Sequence, residues 1–366
     1  MNQMILNNLV HRPVRSLIGV IAVAIEVVLI VVIVSLSLGM LNDSKQRQEA
    51  IGADIIVKPP GSSFLAGITS APVSIKIGDI LRKLPHVTAV APVIVQLSTS
   101  GAVEVIYGID QNFERLGSPF RYLEGGPFTG PDQVIVDDYF ATSNHVHAGQ
   151  TISILNHDVK VAGVVEHGKG GRKYLPMATL QDWTGAQGKA SVFYVKVDQP
   201  GNINAVMDEI HNVPGMSQFS VSSMQEYLTM MTPGNLPGFK PFIEVVIGVA
   251  MVIGFIVIFQ SMYAAVMERT REIGILKSIG ASKFYIINVI LRETLVIALA
   301  GTAVGILVSY IVKTVIHNRI PTLPVIIQGD WLGYAVAIAI VGALLGAIYP
   351  ALKAAQKDPI DALAYE

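Results

Sequence analysis

The chain has 366 residues, of which 51% are hydrophobic and only 14% charged. A soluble globular domain carries roughly 25% charged residues, so composition alone points to a membrane. A formal net charge of −1 leaves no basic excess to neutralise phosphates and excludes a general nucleic-acid binder. The absence of cysteine excludes disulfides, thiolate catalysis and cysteine-based zinc sites.

In chain order, residues 1–40 form an N-terminal lead-in and a first span, whose apolar run 17–40 is broken only by Glu26 and two serines. The run is longer than the ~7–15 residues of a secretory signal core, which predicts an uncleaved membrane anchor. Residues 241–267, 289–316 and 331–350 supply three more runs. Each approaches the ~20 residues a helix needs to cross about 30 Å of hydrocarbon. The predicted fold is therefore an α-helical four-span bundle with a large α+β extracytoplasmic domain, residues 41–240, inserted between the first and second spans. A short outer loop (317–330) and a tail (351–366) complete it.

Basic residues set the expected orientation. Arg12 and Arg15 precede the first span. Arg269, Arg271, Lys277 and Lys283 lie between the second and third, with Arg292 at the start of the third, and Lys353 and Lys357 follow the fourth. The positive-inside rule then puts both termini and the 268–288 loop in the cytoplasm of a bacterial inner membrane.

Residues 41–240 alternate short apolar runs (ADIIVK, AVEVIYGI, QVIVDDYF, TISILN, VKVAGVVE, SVFYVKV) with Gly, Pro and Asn turns. Helical patterns cover 77–84 and 203–212. Asp137 and Asp138 read as capping acids at a helix start. The stretch GVVEHGKGG fits part of a phosphate-binding loop at Gly163, Gly168 and Lys169. Gly170 stands where the magnesium-binding hydroxyl is required, and no helix follows. It reads as a Gly-rich hairpin or exposed loop. His145, His147, His157 and His167 lack a closed ligand set and read as solvated loop residues, so no metal is expected. Asp358 and Pro359 read as a helix start in the tail.

The loop between spans two and three, MERTREIGILKSIGASKFYI, places Ile273, Leu276 and Ile279 near one helical face. Arg269, Arg271, Glu272 and Lys277 are polar around it. Gly280 is a C-terminal breaker and Ser282 an N-cap for the following helix. An amphipathic helix lying on the lipid surface satisfies the same pattern.

ERTREIGILKSIGAS resembles the signature loop of MacB/FtsX-type ABC transporter permeases. YPALKAAQKDPIDALAYE resembles their C-terminus, and NNLVHRPVRSLIGVIAVAI their first helix. VHAGQTISILNHDVKVAGVVE with YLPMATLQ is similar to their extracytoplasmic domain. The resemblance implies a coupling helix docking on a separate ABC ATPase, with Ile273, Leu276 and Ile279 entering its groove and Arg269, Arg271, Glu272, Lys277 and Gly280 beside them. It implies a second permease copy as a homodimer, ATP and magnesium held by the partner ATPase, and a periplasmic adaptor as a further partner. The chain itself is then a non-catalytic subunit that couples ATP hydrolysis to motion of the extracytoplasmic domain, for export or extraction of a substrate. An FtsX-like regulator, transmitting ATPase state to a partner such as a cell-wall hydrolase, fits the same resemblance. No nucleophile, base and orienter set points to an enzyme.

Inside the spans, Gly301-x-x-x-Gly305 and Gly342-x-x-x-Gly346 have the small-residue spacing that lets helices approach closely. Glu26 lies on a stripe expected to face protein or water rather than lipid. It fits either a contact to substrate or proton at a dimer seam, or a protonated acid bonded to a neighbouring helix.

Overall fold

The computed structural model describes residues 13–62, 72–98, 104–236 and 238–357. The predicted tail start at Asp358 and Pro359 lies outside the described residues, as does Arg12. Two compact units emerge. One takes in Met1–Gly39, Pro237–Asn318 and Val325–Glu366, and the other Met40–Leu236 and Arg319–Pro324.

Helix α1 (Pro13–Glu49) continues beyond the apolar run that announced it. The second unit is built on a ten-stranded sheet in the order β12-β1-β11-β3-β4-β9-β6-β8-β5, with β7 paired to β8. Its strands are β1 (Ile55–Lys58), β3 (Val87–Ser98), β4 (Glu104–Ile109), β5 (Tyr122–Gly125), β6 (Gln133–Asp137), β7 (Thr151–Ile154), β8 (His157–Val165), β9 (Lys173–Pro176), β11 (Val192–Val197) and β12 (Ser220–Ser223). A separate ribbon pairs β2 (Val73–Ser74) with β10 (Lys189–Ala190). Helices α2 (Lys76–Leu81), α3 (Asp138–Asn144), α4 (Met177–Thr184), α5 (Ile203–Asn212) and α6 (Met224–Met230) complete the unit. Pairing is antiparallel except between β4 and β9 and between β6 and β8.

The longest strand, β3, has no counterpart among the predicted runs, because Pro92 interrupts it. Pro92 falls where β3 pairs with β11, before the pairing with β4 begins at Ile94. Such a half-paired position tolerates the missing N–H.

The two-residue period of the strands divides the sheet's residues between two environments. Ile106, Leu175 and Phe193 belong to the aliphatic core packed with Leu81, Leu180, Val206 and Ile210 of α2, α4 and α5. Their chain neighbours Tyr107, Tyr174 and Tyr194 pack with Phe113 and Phe120 in an aromatic cluster.

The first unit holds α1 with α7 (Phe239–Glu268), α8 (Thr270–Ser278), α9 (Lys283–Arg319) and α10 (Gly329–Gln356). Helices α1, α7, α9 and α10 are long and apolar enough to cross a membrane. Their packing depends on missing side chains. A Cβ on Gly301 would lie 2.8 Å from the Val20 carbonyl, and one on Gly305 would lie 2.9 Å from that of Ala24, so α9 presses directly on α1. A Cβ on Gly346 of α10 would lie 2.8 Å from the Phe255 carbonyl of α7. Backbone cannot give way as a flexible side-chain end can. Gly305→Leu is therefore expected to destabilise the bundle by about 3 kcal/mol, read as a lowered unfolding temperature in detergent. Gly248→Leu, on α7 with open space around it, is the tolerated control. Equal behaviour of the two variants would overturn this account of the packing.

Candidate coupling site

Helix α8 follows α7 after a single residue and ends in a tight turn. Gly280 has φ +102°, where an L side chain is strained, and its N–H donates to the Lys277 carbonyl while Ala281 N–H donates to that of Leu276. Ser282 Oγ then accepts from Tyr285 N–H at 3.2 Å and opens α9. Both end signals read from the sequence are used.

The faces of α8 correct the expected docking surface. Ile273 packs on the bundle core, and Ile273 and Leu276 line a small cavity of about 50 Å³ with Met262, Val266 and Ile286. Arg269 reaches both carboxylate oxygens of Glu293 at 3.0–3.1 Å, with the two side chains 12% and 8% exposed. Lys277 Nζ donates to the carbonyls of Ala355, at 3.0 Å, and Lys357 at the end of α10. Positions 269, 273, 276 and 277 thus form one stripe that seats α8 on the bundle. The opposite stripe looks outward. Arg271 and Glu272 are exposed, Ile275 is 43% exposed and Ile279 80%, with Phe284 beyond the turn at 84%. The sequence carries two apolar stripes, and only packing decides which is covered. Ile275, four residues before Ile279 and after Arg271, was the overlooked signal.

The second unit contains a joint of three chain segments. Arg172 donates to Asp137 Oδ2 and Asp43 Oδ2, both at 3.2 Å, and to the Thr322 carbonyl at 3.0 Å. It thereby ties the end of β6 to the last turns of α1 and to residues 319–324. Asp137 also caps α3 through Phe140 N–H at 2.7 Å. Burial raises its pKa to about 6, outweighing the Arg172 guanidinium that pulls it down. Gln48, near the end of α1, is buried between two tyrosine hydroxyls: its amide donates to Tyr107 at 3.0 Å and it accepts from Tyr194 at 2.9 Å. These partners are 59 to 146 residues apart in the chain, so no local pattern announces them.

The GKGG stretch is no exposed loop. Gly170 N–H donates to the Arg47 carbonyl at 2.7 Å, and a Cβ on Gly170 would lie 2.9 Å from the Tyr107 ring. Lys169 is 6% exposed, with Nζ 4.6 Å from the Phe120 ring centre and 5.0 Å from that of Phe113. It has no hydrogen-bond acceptor among the described residues. The loop closed on α1 because glycine allowed backbone contact and the aromatic face had room for an aliphatic stem.

Burial lowers the Lys169 pKa from 10.5 to about 8, with Glu114 opposing weakly. Below about pH 8 the folded and unfolded lysine are both charged and the full cost of burial is present. That cost fades as pH rises from about 8 to 10.5, where only the unfolded lysine stays charged. At about 1.4 kcal/mol per pK unit the cost is about 3 kcal/mol, and the two rings return roughly half of it. Lys169→Met is expected to raise stability by about 1–2 kcal/mol at pH 7, with the gain shrinking by pH 10. Thermal unfolding against pH measures it, and a destabilised variant would contradict the assignment.

Three histidines pair singly with carboxylates, His147 with Glu124 at 3.1 Å, His167 with Asp138 at 3.0 Å and His86 with Asp198 at 2.9 Å, while His157 stacks on Trp183. His145 ends α3 with φ +54°. No group of three or more metal-ligating side chains occurs among the described residues. Glu26 is placed inside this chain's own bundle, 1% exposed and against Gly254 and Gly342, rather than on an outer seam. Neither of its oxygens has a hydrogen-bond partner on a neighbouring helix among the described residues.

Four long apolar helices, a large α+β insertion between the first and second, and a short helix held at the α7–α9 turn define a multi-pass permease architecture. Residues 16–213 match the MacB-like periplasmic core domain and residues 244–359 the FtsX-like permease C-terminal domain. The chain belongs to the MacB/FtsX-like permease family, as a permease domain of an ABC transporter of that type. The macrolide export ATP-binding/permease protein MacB of Shewanella sp. (strain W3-18-1) is 25% identical over 97% of this chain and 59% of its own length. The chain thus spans about three-fifths of that relative, and neither matched domain is an ATPase. The uncharacterized ABC transporter permease YknZ of Bacillus subtilis is 36% identical over 32% of this chain and 30% of its own. The periplasmic region of MacB from Actinobacillus actinomycetemcomitans is similar with a TM-score of 0.39 at 15% identity, over 52% of this chain and 97% of that one.

Proposed function

We propose that this chain couples ATP hydrolysis by an ABC ATPase to movement of its α+β domain, driving export or extraction of a substrate. The supporting observation is α8: its inner stripe is fastened to α9 by Arg269–Glu293 and to the end of α10 by Lys277, while Ile275 and Ile279 stand outward with Arg271 and Glu272. A seated helix with spaced apolar anchors on its open face suits docking into a partner's groove. The fastening lets a push on α8 reach the spans.

In this reading both termini and α8 face the cytoplasm of a bacterial inner membrane, and residues 41–240 face outward. Two copies pair, the ATPases beneath them hold ATP and magnesium, and an adaptor meets the outward domain. Purification of the tagged full chain in mild detergent, with mass spectrometry of what accompanies it, tests the reading. A stoichiometric ABC ATPase supports it. A chain that emerges alone, under conditions that keep comparable complexes intact, overturns it.

A further inference from the structure

We propose that Glu26 is a proton-binding site within the membrane bundle, holding one proton while α1 is closed against α7 and α10 and exchanging it with water when they part. The side chain is 1% exposed, and its carboxyl fills a notch made by two glycines. A Cβ on Gly254 of α7 would lie 1.9 Å from Oε2, and one on Gly342 of α10 would lie 3.6 Å from Oε1. The notch is shaped for a carboxyl yet offers it nothing polar, since neither oxygen has a hydrogen-bond partner among the described residues.

Among the described residues no cation sits at this level of the bundle. On α7 the nearest charged residue is Glu244, ten residues from Gly254, and on α10 it is Lys353, eleven residues from Gly342. On α9, whose Gly305 packs against Val27, it is Lys313, eight residues away. At ~1.5 Å per residue these lie about 12–16 Å distant along their helices. On α1 itself Arg15 and Asp43 stand eleven and seventeen residues off. Tyr310, Tyr334 and Tyr349 are exposed on the outer faces of α9 and α10, and Tyr263 lies nine residues beyond Gly254 on α7.

An ionised carboxylate in this seat would be an uncompensated charge without solvation, which is far more costly than a neutral carboxylic acid. The seat therefore accommodates the acid form. A carboxyl that makes no bond in the closed bundle gains partners only when the helices separate and water enters. There the acid gives its proton to water and becomes a carboxylate; closing reverses the transfer, so each opening and closing moves one proton on and off Glu26. The two glycines that face the carboxyl, Gly254 and Gly342, carry no side chain of their own to bar that water.

Infrared difference spectroscopy of the full chain in lipid vesicles tests this, comparing wild type with the near-isosteric Glu26→Gln. The expected result is a protonated-carboxyl C=O band present in wild type and lost in Glu26→Gln. It should shift on transfer to deuterium oxide and fade as pH is raised. Absence of the band shows an ionised Glu26 and overturns the proposal. A band that neither shifts nor titrates shows a sealed structural acid and overturns it equally. Gly254→Ala supplies a second test, because its new Cβ must displace the carboxyl: an unaltered band there would refute the notch. None of these readouts involves a partner ATPase, so they stand or fall separately from the coupling reading.

Discussion

Under the coupling reading, Ile275→Asp and Ile279→Asp, made together, are expected to weaken binding of an ABC ATPase at least a hundredfold while leaving the bundle folded. Both side chains face outward from α8, Ile279 at 80% and Ile275 at 43% exposure, so the folded chain loses little packing when they are charged. At a docking surface they would be buried anchors, and losing such anchors costs about 1–2 kcal/mol each or more. A hundredfold corresponds to about 2.7 kcal/mol. Affinity measured between the purified chain and an ATPase that co-purifies with it reads the effect, and the unfolding temperature checks the fold. Leu276→Asp should behave differently, because Leu276 lines the cavity beneath α8. It should lower the unfolding temperature and loosen α8, weakening the ATPase complex only as a consequence. If the outward pair can be charged without loss of ATPase binding, α8 is not the docking element and lies on the lipid surface instead.

Arg172→Ala is the second substitution with a large expected effect. It removes the guanidinium facing Asp137, a carboxylate whose side chain is 2% exposed, and frees Asp43 and the Thr322 carbonyl from their shared donor. Removing one partner of a buried pair typically costs about 3–5 kcal/mol. The pH dependence identifies the cause. Asp137 titrates at about 6 when folded against 3.8 unfolded, so the folded state binds more protons between those values and stability falls as pH rises through that window. Without Arg172 the fall should steepen and extend to higher pH. Arg172→Ala with Asp137→Asn should recover much of the loss, since the orphaned charge is gone and asparagine can still cap α3. Thermal unfolding from pH 4 to 8 distinguishes these outcomes, and a single variant as stable as wild type would dismiss the joint. Under the coupling reading Arg172→Ala should also leave ATP turnover running with less movement of the α+β domain.

The long helices were legible in the sequence because hydrocarbon demands a continuous apolar run of fixed length, a local property of the chain. Gly280 and Ser282 were equally legible, since a helix end is closed by residues within a turn of it. The helix at Ile203–Asn212 shows the same locality, as does the Asp137 cap. Strand β3 escaped because Pro92 is permitted only by the one-sided pairing around it, which no local pattern records.

What the sequence by itself determined is the membrane class, the four spans, the α+β insertion and the presence of an amphipathic helix between the second and third spans. Only the tertiary structure decided which stripe of that helix is covered, that Lys169 lies under aromatic rings, that Arg172 joins three chain segments and that Glu26 rests between two glycines. The physical reason is the same in each case. Periodicity reports that a face is apolar or that a charge is present, but burial is a relation between elements. The partners that create it here lie tens to more than a hundred residues away in the chain.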